Sequence, residues 1–286
     1  MAVPVGQSQS KGRYKILKLS CLPVSYYNEF RNGKKSIISW AEEASRLSLD
    51  GIDISKIMIE SMEHKSVCSI KESINNIGIH VAMFTTYTDF TNPEKKNRKK
   101  QLMNLERDFE TAACLGADLI RLTAGQNYPG ISRDEGIKWV LEGLNKAEII
   151  SKQYPVDVVF ENHGKPGIWD YTDFAHNKNI FLAIVKEIEN MNIGINFDTA
   201  NPVINGYSPI DLLKKVIHKV VSVHAADNMV YGKIKPVIIG KGIVPFNDIF
   251  KYLSSAQFNG WICIEEASGC KEKGVKEAVN YIKKYI

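Results

Sequence analysis

Four side chains that can ligate a divalent metal ion each close a short apolar run in this sequence. Glu161, Asp198, His224 and Glu265 each follow residues typical of a buried strand, as Val158 to Phe160 precede Glu161. Three carboxylates and one imidazole form a mostly hard-oxygen site, which suits Mn²⁺, Mg²⁺ or Co²⁺, with Zn²⁺ as a further option. An ion held there could act as a Lewis acid on the oxygens of a hydroxy-ketone.

The simpler interpretation of any one of these residues is a helix cap or a solvated loop end, where Asp and Glu are common. Four metal-competent side chains in consecutive units make coincidence a weaker explanation. The number of residues between one of these side chains and the next corresponds each time to about one helix and one strand. Charges are excluded from the middle of a parallel strand and tolerated at its tip, so the four ends are expected to converge on one face of the fold.

The elements that must position these residues alternate regularly between strand and helix. Apolar runs predict eight strands, at residues 14–19, 49–54, 79–84, 118–122, 158–160, 193–198, 220–224 and 261–265. Helical spacing of apolar residues predicts eight helices, at residues 36–47, 66–77, 93–115, 132–152, 181–190, 209–217, 245–256 and 273–285. This alternation favours an α/β fold of one domain, a (β/α)8 TIM barrel over residues 13–286. Residues 1–12 are polar and rich in small side chains, which predicts a flexible N-terminal lead-in.

An open, doubly wound sheet is the alternative to a closed barrel. No G-x-G-x-x-G motif follows the first predicted strand, so a dinucleotide-binding version of that fold lacks support. Gly240-Lys241-Gly242 lies in a loop before a predicted helix. By itself it is a weak phosphate-binding motif, and a plain turn is the simpler interpretation.

The bulk composition is ordinary for a globular protein, with 286 residues, 44% hydrophobic and 24% charged. The net charge of +5 is mild and does not imply a nucleic-acid partner. Five cysteines without a C-x-x-C pair favour a reducing, cytoplasmic setting. No apolar stretch reaches the ~20 residues of a membrane span, and the first residues lack the apolar segment of a signal peptide. The oligomeric state stays open, with a homo-oligomer among the options.

The pattern around the four candidate ligands resembles a known family. The segments that carry the resemblance are Leu115–Arg121, Glu161–Gly164, Phe197–Thr199, His224–Asp227 and Gly240–Gly242. They are similar to those of the xylose-isomerase-like barrels, and within these to the sugar phosphate isomerase/epimerase family. That family includes ketose 3-epimerases, hydroxypyruvate isomerase and inosose dehydratase.

The resemblance implies one divalent metal ion held by Glu161, Asp198, His224 and Glu265, with Glu161 and Glu265 doubling as acid and base. Removal of a C–H proton beside a carbonyl would leave an enediolate. If one glutamate removes the proton and the other returns a proton, the overall reaction is an epimerisation or an aldose–ketose isomerisation. If a β-hydroxyl leaves instead, the same first step gives a dehydratase. The expected partner is a small sugar, sugar phosphate or keto-polyol.

Four further residues are candidates for substrate contact. Arg121 is expected to point into the barrel mouth, or to form a salt bridge with a neighbouring strand. His163 is expected to contact substrate, or to orient Glu161 or Asn162. Asn201 stands where many relatives have a histidine, and Asp227 is expected near the substrate or in support of a loop. The ketose 3-epimerases carry a further Glu where this chain has residues 165–167, so the substrate is left open.

Two other functions share this fold. The three-metal cluster of endonuclease IV needs more histidines than this chain provides among its six, so cleavage of abasic DNA is not expected. A non-catalytic sugar-binding barrel would show the loss of a metal ligand, and none of the four is missing. Catalysis on a small molecule is therefore the favoured prediction, without a nucleic-acid or membrane partner.

Overall fold

Eight parallel strands, each followed by a helix, make up the computed structural model of this protein, which describes residues 17–165 and 167–286. The strands are β1 (Lys18–Leu22), β2 (Gly51–Ser55), β3 (His80–Thr85), β4 (Leu119–Leu122), β5 (Asp157–Glu161), β6 (Ile193–Asp198), β7 (Val220–Ala225) and β8 (Trp261–Glu265). The helices that follow them are α1 (Ile37–Arg46), α2 (His64–Ile77), α3 (Lys95–Leu115), α4 (Arg133–Ser151), α5 (Lys178–Glu187), α6 (Pro209–Val216), α7 (Phe246–Ser255) and α8 (Lys271–Ile282).

The strands form one sheet in the order β1-β8-β7-β6-β5-β4-β3-β2, and every neighbouring pair is parallel. Its two edges, β1 and β2, meet. The backbone N–H of Asp50 donates to the Leu19 carbonyl at 2.9 Å, and the Ser20 hydroxyl donates to Asp53 at 2.7 Å. The sheet is therefore a nearly closed (β/α)8 barrel, which confirms the predicted fold over the open doubly wound alternative.

Local sequence accounts for most of these elements. In α1 the apolar residues Ile37, Trp40 and Ala44 recur at helical spacing and are buried, and the Ser36 hydroxyl caps the helix start. At the end of α2 the chain turns at Gly78 with φ of 78°, a left-handed conformation that glycine adopts without a steric penalty. The predicted helices all exist, with ends that differ by a few residues.

The predicted bounds of the first strand are wrong. The sequence predicts residues 14–19, whereas β1 covers Lys18–Leu22, because its extent is set by pairing with β8 from Lys18 opposite Trp261 to Leu22 opposite Glu265. Residues 14–16 and the predicted lead-in, residues 1–12, lie outside the described residues. The short features that were not predicted include helices at Tyr27–Arg31 and Asn201–Ile204, and a hairpin that pairs Asp227–Asn228 with Pro236–Val237.

The strand register aligns the carboxyl ends that carry the candidate site. Asp198 lies opposite His224 in the β6–β7 pair, and Glu161 lies opposite Asn196 in the β5–β6 pair. In barrels of this kind the carboxyl-end face is where active sites are built, while the opposite face supports stability. No helix among the described residues is long and apolar enough to cross a membrane.

Candidate metal centre

The four predicted ligands meet at the carboxyl-end face of the barrel. Glu161, Asp198 and Glu265 are the last residues of β5, β6 and β8, and His224 is the last but one of β7. Each offers a ligand atom, and these atoms all lie within 4.8 Å of one another. His224 Nδ1 lies 3.5 Å from Glu161 Oε2 and 3.3 Å from Glu265 Oε2. The barrel therefore brings together four side chains that are far apart in sequence.

The donor set fits a divalent cation. Asp198 Oδ2 and His224 Nδ1 are both buried, and neither has a hydrogen-bond partner among the described residues. A buried polar atom without a partner costs free energy, and a metal ion coordinated by both atoms would remove that cost. Three carboxylates beside one imidazole match the hard, mixed O/N ligation of Mn²⁺, Mg²⁺, Co²⁺ or Zn²⁺. That the four residues bind an ion stays a prediction.

A buried carboxylate, Asp53, lies beside the His224 ring. Asp53 Oδ2 lies 3.3 Å from His224 Nε2, and its other oxygen accepts a hydrogen bond from Ser20. With Nε2 facing Asp53, the opposite ring nitrogen faces Glu161 and Glu265 as a free ligand. Sequence analysis missed Asp53, although a carboxylate in the middle of the apolar run of β2 was a detectable sign.

Two side chains hold Glu161 in place. The Arg121 guanidinium donates to Glu161 Oε2 at 2.9 Å, and the Asn196 amide donates to the same oxygen at 3.2 Å. Burial alone would raise the pKa of Glu161, but the positive charges of Arg121 and His224 overcome it and hold this pKa below its usual range. Arg121 thus forms the interstrand salt bridge that was the alternative to a substrate contact. Its role toward substrate stays a prediction.

Asp198 is fixed through its backbone and through one carboxylate oxygen. The Asn162 side chain accepts from the Asp198 N–H and donates to the Asp198 carbonyl. Asp198 Oδ1 accepts from the backbone N–H groups of Ala200 and Asn201 at 2.8 and 2.6 Å. Burial raises the pKa of Asp198 to about 6, against the opposing effect of the Lys165 ammonium. The second oxygen is thereby left to face the site.

Lys165 places an ammonium group against the candidate ligands. Its Nζ contacts Glu265 Oε1 and lies 3.6 Å from Asp198 Oδ2. Burial alone would lower the pKa of Lys165, but the carboxylates of Glu265 and Asp198 overcome it and raise this pKa. Burial likewise would raise the pKa of Glu265, and Lys165 instead holds it well below its usual range. Sequence analysis noted residue 165 only as a departure from the ketose 3-epimerases.

His163 and Asn201 lie beside the ligands. His163 Nδ1 lies 3.5 Å from Asp173 Oδ2, and its ring meets the Trp169 ring edge-on at a centroid distance of 5.5 Å. The structure thus pairs His163 with Asp173, a partner that was not predicted. The Asn201 amide lies 3.5 Å from Glu161 Oε1, and its own oxygen has no partner among the described residues. Both residues remain candidates for substrate contact.

Asp227 supports a loop. Its Oδ2 accepts from the N–H groups of Gly240 and Gly242 at 2.9 and 2.8 Å, and its Oδ1 accepts from Asn228 and Val244. Gly240-Lys241-Gly242 is therefore a turn tied to Asp227, and no phosphate needs to be invoked to explain it. Because four N–H donors occupy the carboxylate, loop support is the role its contacts give it, and its substrate contact stays a prediction.

Replacing Asp227 by Asn is expected to loosen this loop and leave metal binding intact. Asn228 and Val244 keep an acceptor in the amide oxygen, but Gly240 and Gly242 would face an NH₂ group. Leaving two donors unsatisfied is expected to lower the free energy of unfolding by about 1–3 kcal/mol. Urea denaturation measures this, with the exposed Asp248→Asn as the control, and unchanged stability of Asp227→Asn would contradict the assigned role.

Comparison with known proteins gives a family match over most of the chain. The profile of the xylose isomerase-like TIM barrels matches residues 41–285. An inosose dehydratase from Clostridium botulinum (strain Alaska E43 / Type E3) is 22% identical over 277 residues, covering 87% of this chain and 89% of that protein. The chain therefore aligns with this relative along nearly its whole length.

Two solved structures show the same fold at low identity. A D-tagatose 3-epimerase-like protein superposes with a TM-score of 0.76 at 18% identity, over 94% of this chain and 97% of the other. The IolI protein with a bound zinc atom superposes with a TM-score of 0.76 at 17% identity, over 94% and 99%. Identities this low establish the shared barrel and leave the reaction open.

Proposed function

This chain belongs to the family of xylose isomerase-like TIM barrels, and from that premise we propose that it is a metal-dependent enzyme that enolises a keto-sugar or keto-polyol. The observation that carries the proposal is the convergence of Glu161, Asp198, His224 and Glu265 within 4.8 Å at the catalytic face of the barrel. Two of these residues are glutamates on different strands, and a positioned carboxylate can act as the base that abstracts a C–H proton beside a carbonyl.

The metal is proposed to be one divalent ion, Mn²⁺, Mg²⁺, Co²⁺ or Zn²⁺. When bound, it would polarise the substrate carbonyl and stabilise negative charge on the adjacent oxygens. The zinc atom bound by the IolI neighbour supports a divalent ion in this chain without deciding which one. The substrate would be a small molecule, and a cytoplasmic location and a homo-oligomeric state stay predictions.

Glu265 is the better placed of the two glutamates to act as the base. Glu161 is fully buried, with Arg121 and Asn196 bound to the same carboxylate oxygen. Glu265 is 8% exposed, and its side chain accepts a hydrogen bond from Lys165. A base must reach its substrate from the open end of the barrel. We therefore assign the proton abstraction to Glu265 and mainly ligand and charge roles to Glu161.

Lys165 is positioned to be the proton donor. Its ammonium lies against Glu265, so a base and an acid stand side by side at the site. After Glu265 takes the proton from the carbon beside the carbonyl, the electrons of that C–H bond form a C=C bond and the β C–O bond breaks. Lys165 supplies the proton that turns the departing hydroxyl into water, which completes a dehydration.

These features favour dehydration of an inosose-like keto-polyol over the isomerisation or epimerisation that the sequence places first. The inosose dehydratase relative supports the same order, since it aligns over 87% of this chain. Epimerisation or isomerisation is the second candidate. It is supported by the presence of two glutamates at the site and by the likeness to a D-tagatose 3-epimerase-like protein.

A substrate screen followed by NMR tests the proposal. Purified protein is stripped of metal, reloaded with Mn²⁺, and incubated with inososes, keto-sugars and their phosphates. We expect an inosose or a related keto-polyol to lose water. A C-3 epimer or an aldose–ketose pair as the sole product would support the second candidate. Abasic-site DNA is included in the screen, and specific metal-dependent nicking would contradict both candidates.

The Glu265→Gln variant is expected to lose about 10²–10⁴-fold in turnover, because the amide keeps the shape and one oxygen ligand but cannot take a proton. With substrate deuterated at the carbon beside the carbonyl, wild-type protein should release that deuterium to the solvent, and the variant should not. Full activity of Glu265→Gln would exclude this residue from proton transfer. Glu161→Gln is the comparison, and it is expected to weaken metal binding more than Glu265→Gln does.

A further inference from the structure

A second cluster of reactive side chains lies on the outer helices, away from the barrel mouth. Cys68 on α2 and Cys114 on α3 bring their sulfur atoms to 2.8 Å from each other. His64 lies one helical turn before Cys68, with Nε2 3.4 Å from the Cys68 sulfur. None of the three residues takes part in the proposed reaction. From this geometry we propose that Cys68 and Cys114 are a peroxide-sensitive thiol pair that forms a reversible disulfide between α2 and α3.

The sulfur–sulfur distance favours a disulfide over a metal site. Two thiolates on one tetrahedral zinc ion stand about 3.8 Å apart, given Zn–S bonds of ~2.3 Å. A disulfide needs ~2.05 Å. The observed sulfur–sulfur distance of 2.8 Å is nearer to the disulfide length. The two sulfur atoms would therefore move less to form a disulfide than to bind one zinc ion. His64 and the two cysteines are also one ligand short of a structural zinc site.

The two thiols differ in their surroundings, which assigns the order of reaction. Cys68 has His64 within hydrogen-bond distance, and the imidazole can take up the thiol proton. Burial raises the pKa of the Cys114 thiol to about 12, and the contact with Cys68 adds to this. Among the described residues, no histidine lies within hydrogen-bond distance of the Cys114 sulfur, so Cys68 is the thiol that reacts first. The role of Cys114 is to attack the oxidised Cys68 in the second step.

The chemistry balances with a hydroperoxide as the oxidant. The Cys68 thiolate attacks one peroxide oxygen, the O–O bond breaks, and a sulfenic acid forms at Cys68 while the departing hydroxide takes a proton from His64. The Cys114 thiol then attacks the Cys68 sulfur, and the sulfenic oxygen leaves as water. Two thiols and one hydrogen peroxide thus give one disulfide and two waters. Cys68 is only partly buried, and a surface cavity of about 360 Å³ lined by His64, Met103, Arg107 and Cys114 opens beside the pair.

Peptide mapping tests the pair directly. The reduced full-length protein is treated with one equivalent of hydrogen peroxide, alkylated and digested with trypsin without reductant. We expect residues 66–71 to be cross-linked to residues 108–121, and the cross-link to disappear on reduction. The exposed Cys270 is the internal control, since nothing in the structure pairs it, and Cys270→Ser should leave the cross-link unchanged.

Single substitutions test the assigned order. In Cys114→Ser, dimedone should trap a sulfenic acid at Cys68, whereas in Cys68→Ser no label should appear at Cys114. His64→Asn should slow the trapping at neutral pH by about 10-fold or more. Absence of the cross-link at a peroxide dose that oxidises Cys270 would overturn the proposal. Labelling of Cys114 before Cys68 would also overturn the proposal. So would the finding that the protein binds one zinc ion per chain and that the Cys68→Ser substitution by itself removes this ion.

Discussion

Asp198→Asn is expected to release the divalent ion and abolish turnover while the barrel stays folded. The amide oxygen can keep both backbone hydrogen bonds, from Ala200 and Asn201, that the Asp198 Oδ1 atom accepts. The NH₂ group would replace Oδ2, the buried oxygen that has no partner among the described residues. An amide nitrogen donates hydrogen bonds and does not ligate a cation, so the site loses both a ligand and a negative charge.

Loss of a direct ligand should cost more than the 10–100-fold in affinity typical of outer-shell partners, hence more than about 100-fold. Titration calorimetry with Mn²⁺ or Co²⁺ measures the affinity, and far-UV circular dichroism checks the fold. Asp118→Asn is the matched control, because this carboxylate binds His80 and Trp261 at the opposite end of the barrel. Wild-type affinity in Asp198→Asn would refute a shared four-ligand site.

Lys165→Met is expected to lower turnover and to raise the affinity for the divalent ion. Methionine has similar length but no charge and no proton to give. If Lys165 is the acid that protonates the departing hydroxyl, dehydration should fall by about 10²–10⁴-fold. The same substitution removes an ammonium that contacts Glu265 and lies 3.6 Å from Asp198, so the divalent ion no longer competes with it. Metal binding should become tighter by about 10–100-fold.

The opposite signs make this variant informative. Without metal, Lys165→Met leaves the buried carboxylates of Asp198 and Glu265 without their cation, so its melting temperature should fall. Saturating Mn²⁺ should raise that temperature more in the variant than in the wild type. Lys241→Met is the control, since this lysine is largely exposed on the loop between β7 and α7. Loss of both metal binding and turnover would show that Lys165 holds the site together and does not act as its acid.

The Lys165 case shows where sequence analysis fell short. Lys165 and Glu265 are separated by 100 residues, and no local pattern in residues 161–170 indicates that the ammonium turns back onto the ligands. Asp53 carried a partial indication, because a carboxylate inside an apolar strand run requires a buried partner. The identity of that partner, His224, depends on how β2 and β7 face each other across the barrel interior.

The barrel and the four candidate ligands could both be predicted from the sequence. Apolar periodicity is local information, and a charged residue at the end of an apolar run marks a strand tip because burial excludes it from the strand interior. Parallel strands in register then bring Glu161, Asp198, His224 and Glu265 to one face without further information.

The side chains that surround the four candidate ligands, in contrast, follow from tertiary contacts. Three contacts depend on distances between residues that are remote in sequence. They are the contact of Arg121 with Glu161, that of Asp227 with the loop at Gly242, and that of Cys68 with Cys114. The same holds for β1, whose bounds follow from pairing with β8. Burial free energy sets a residue's place along its own strand or helix, whereas hydrogen bonds and ion pairs depend on contacts that form once the barrel closes.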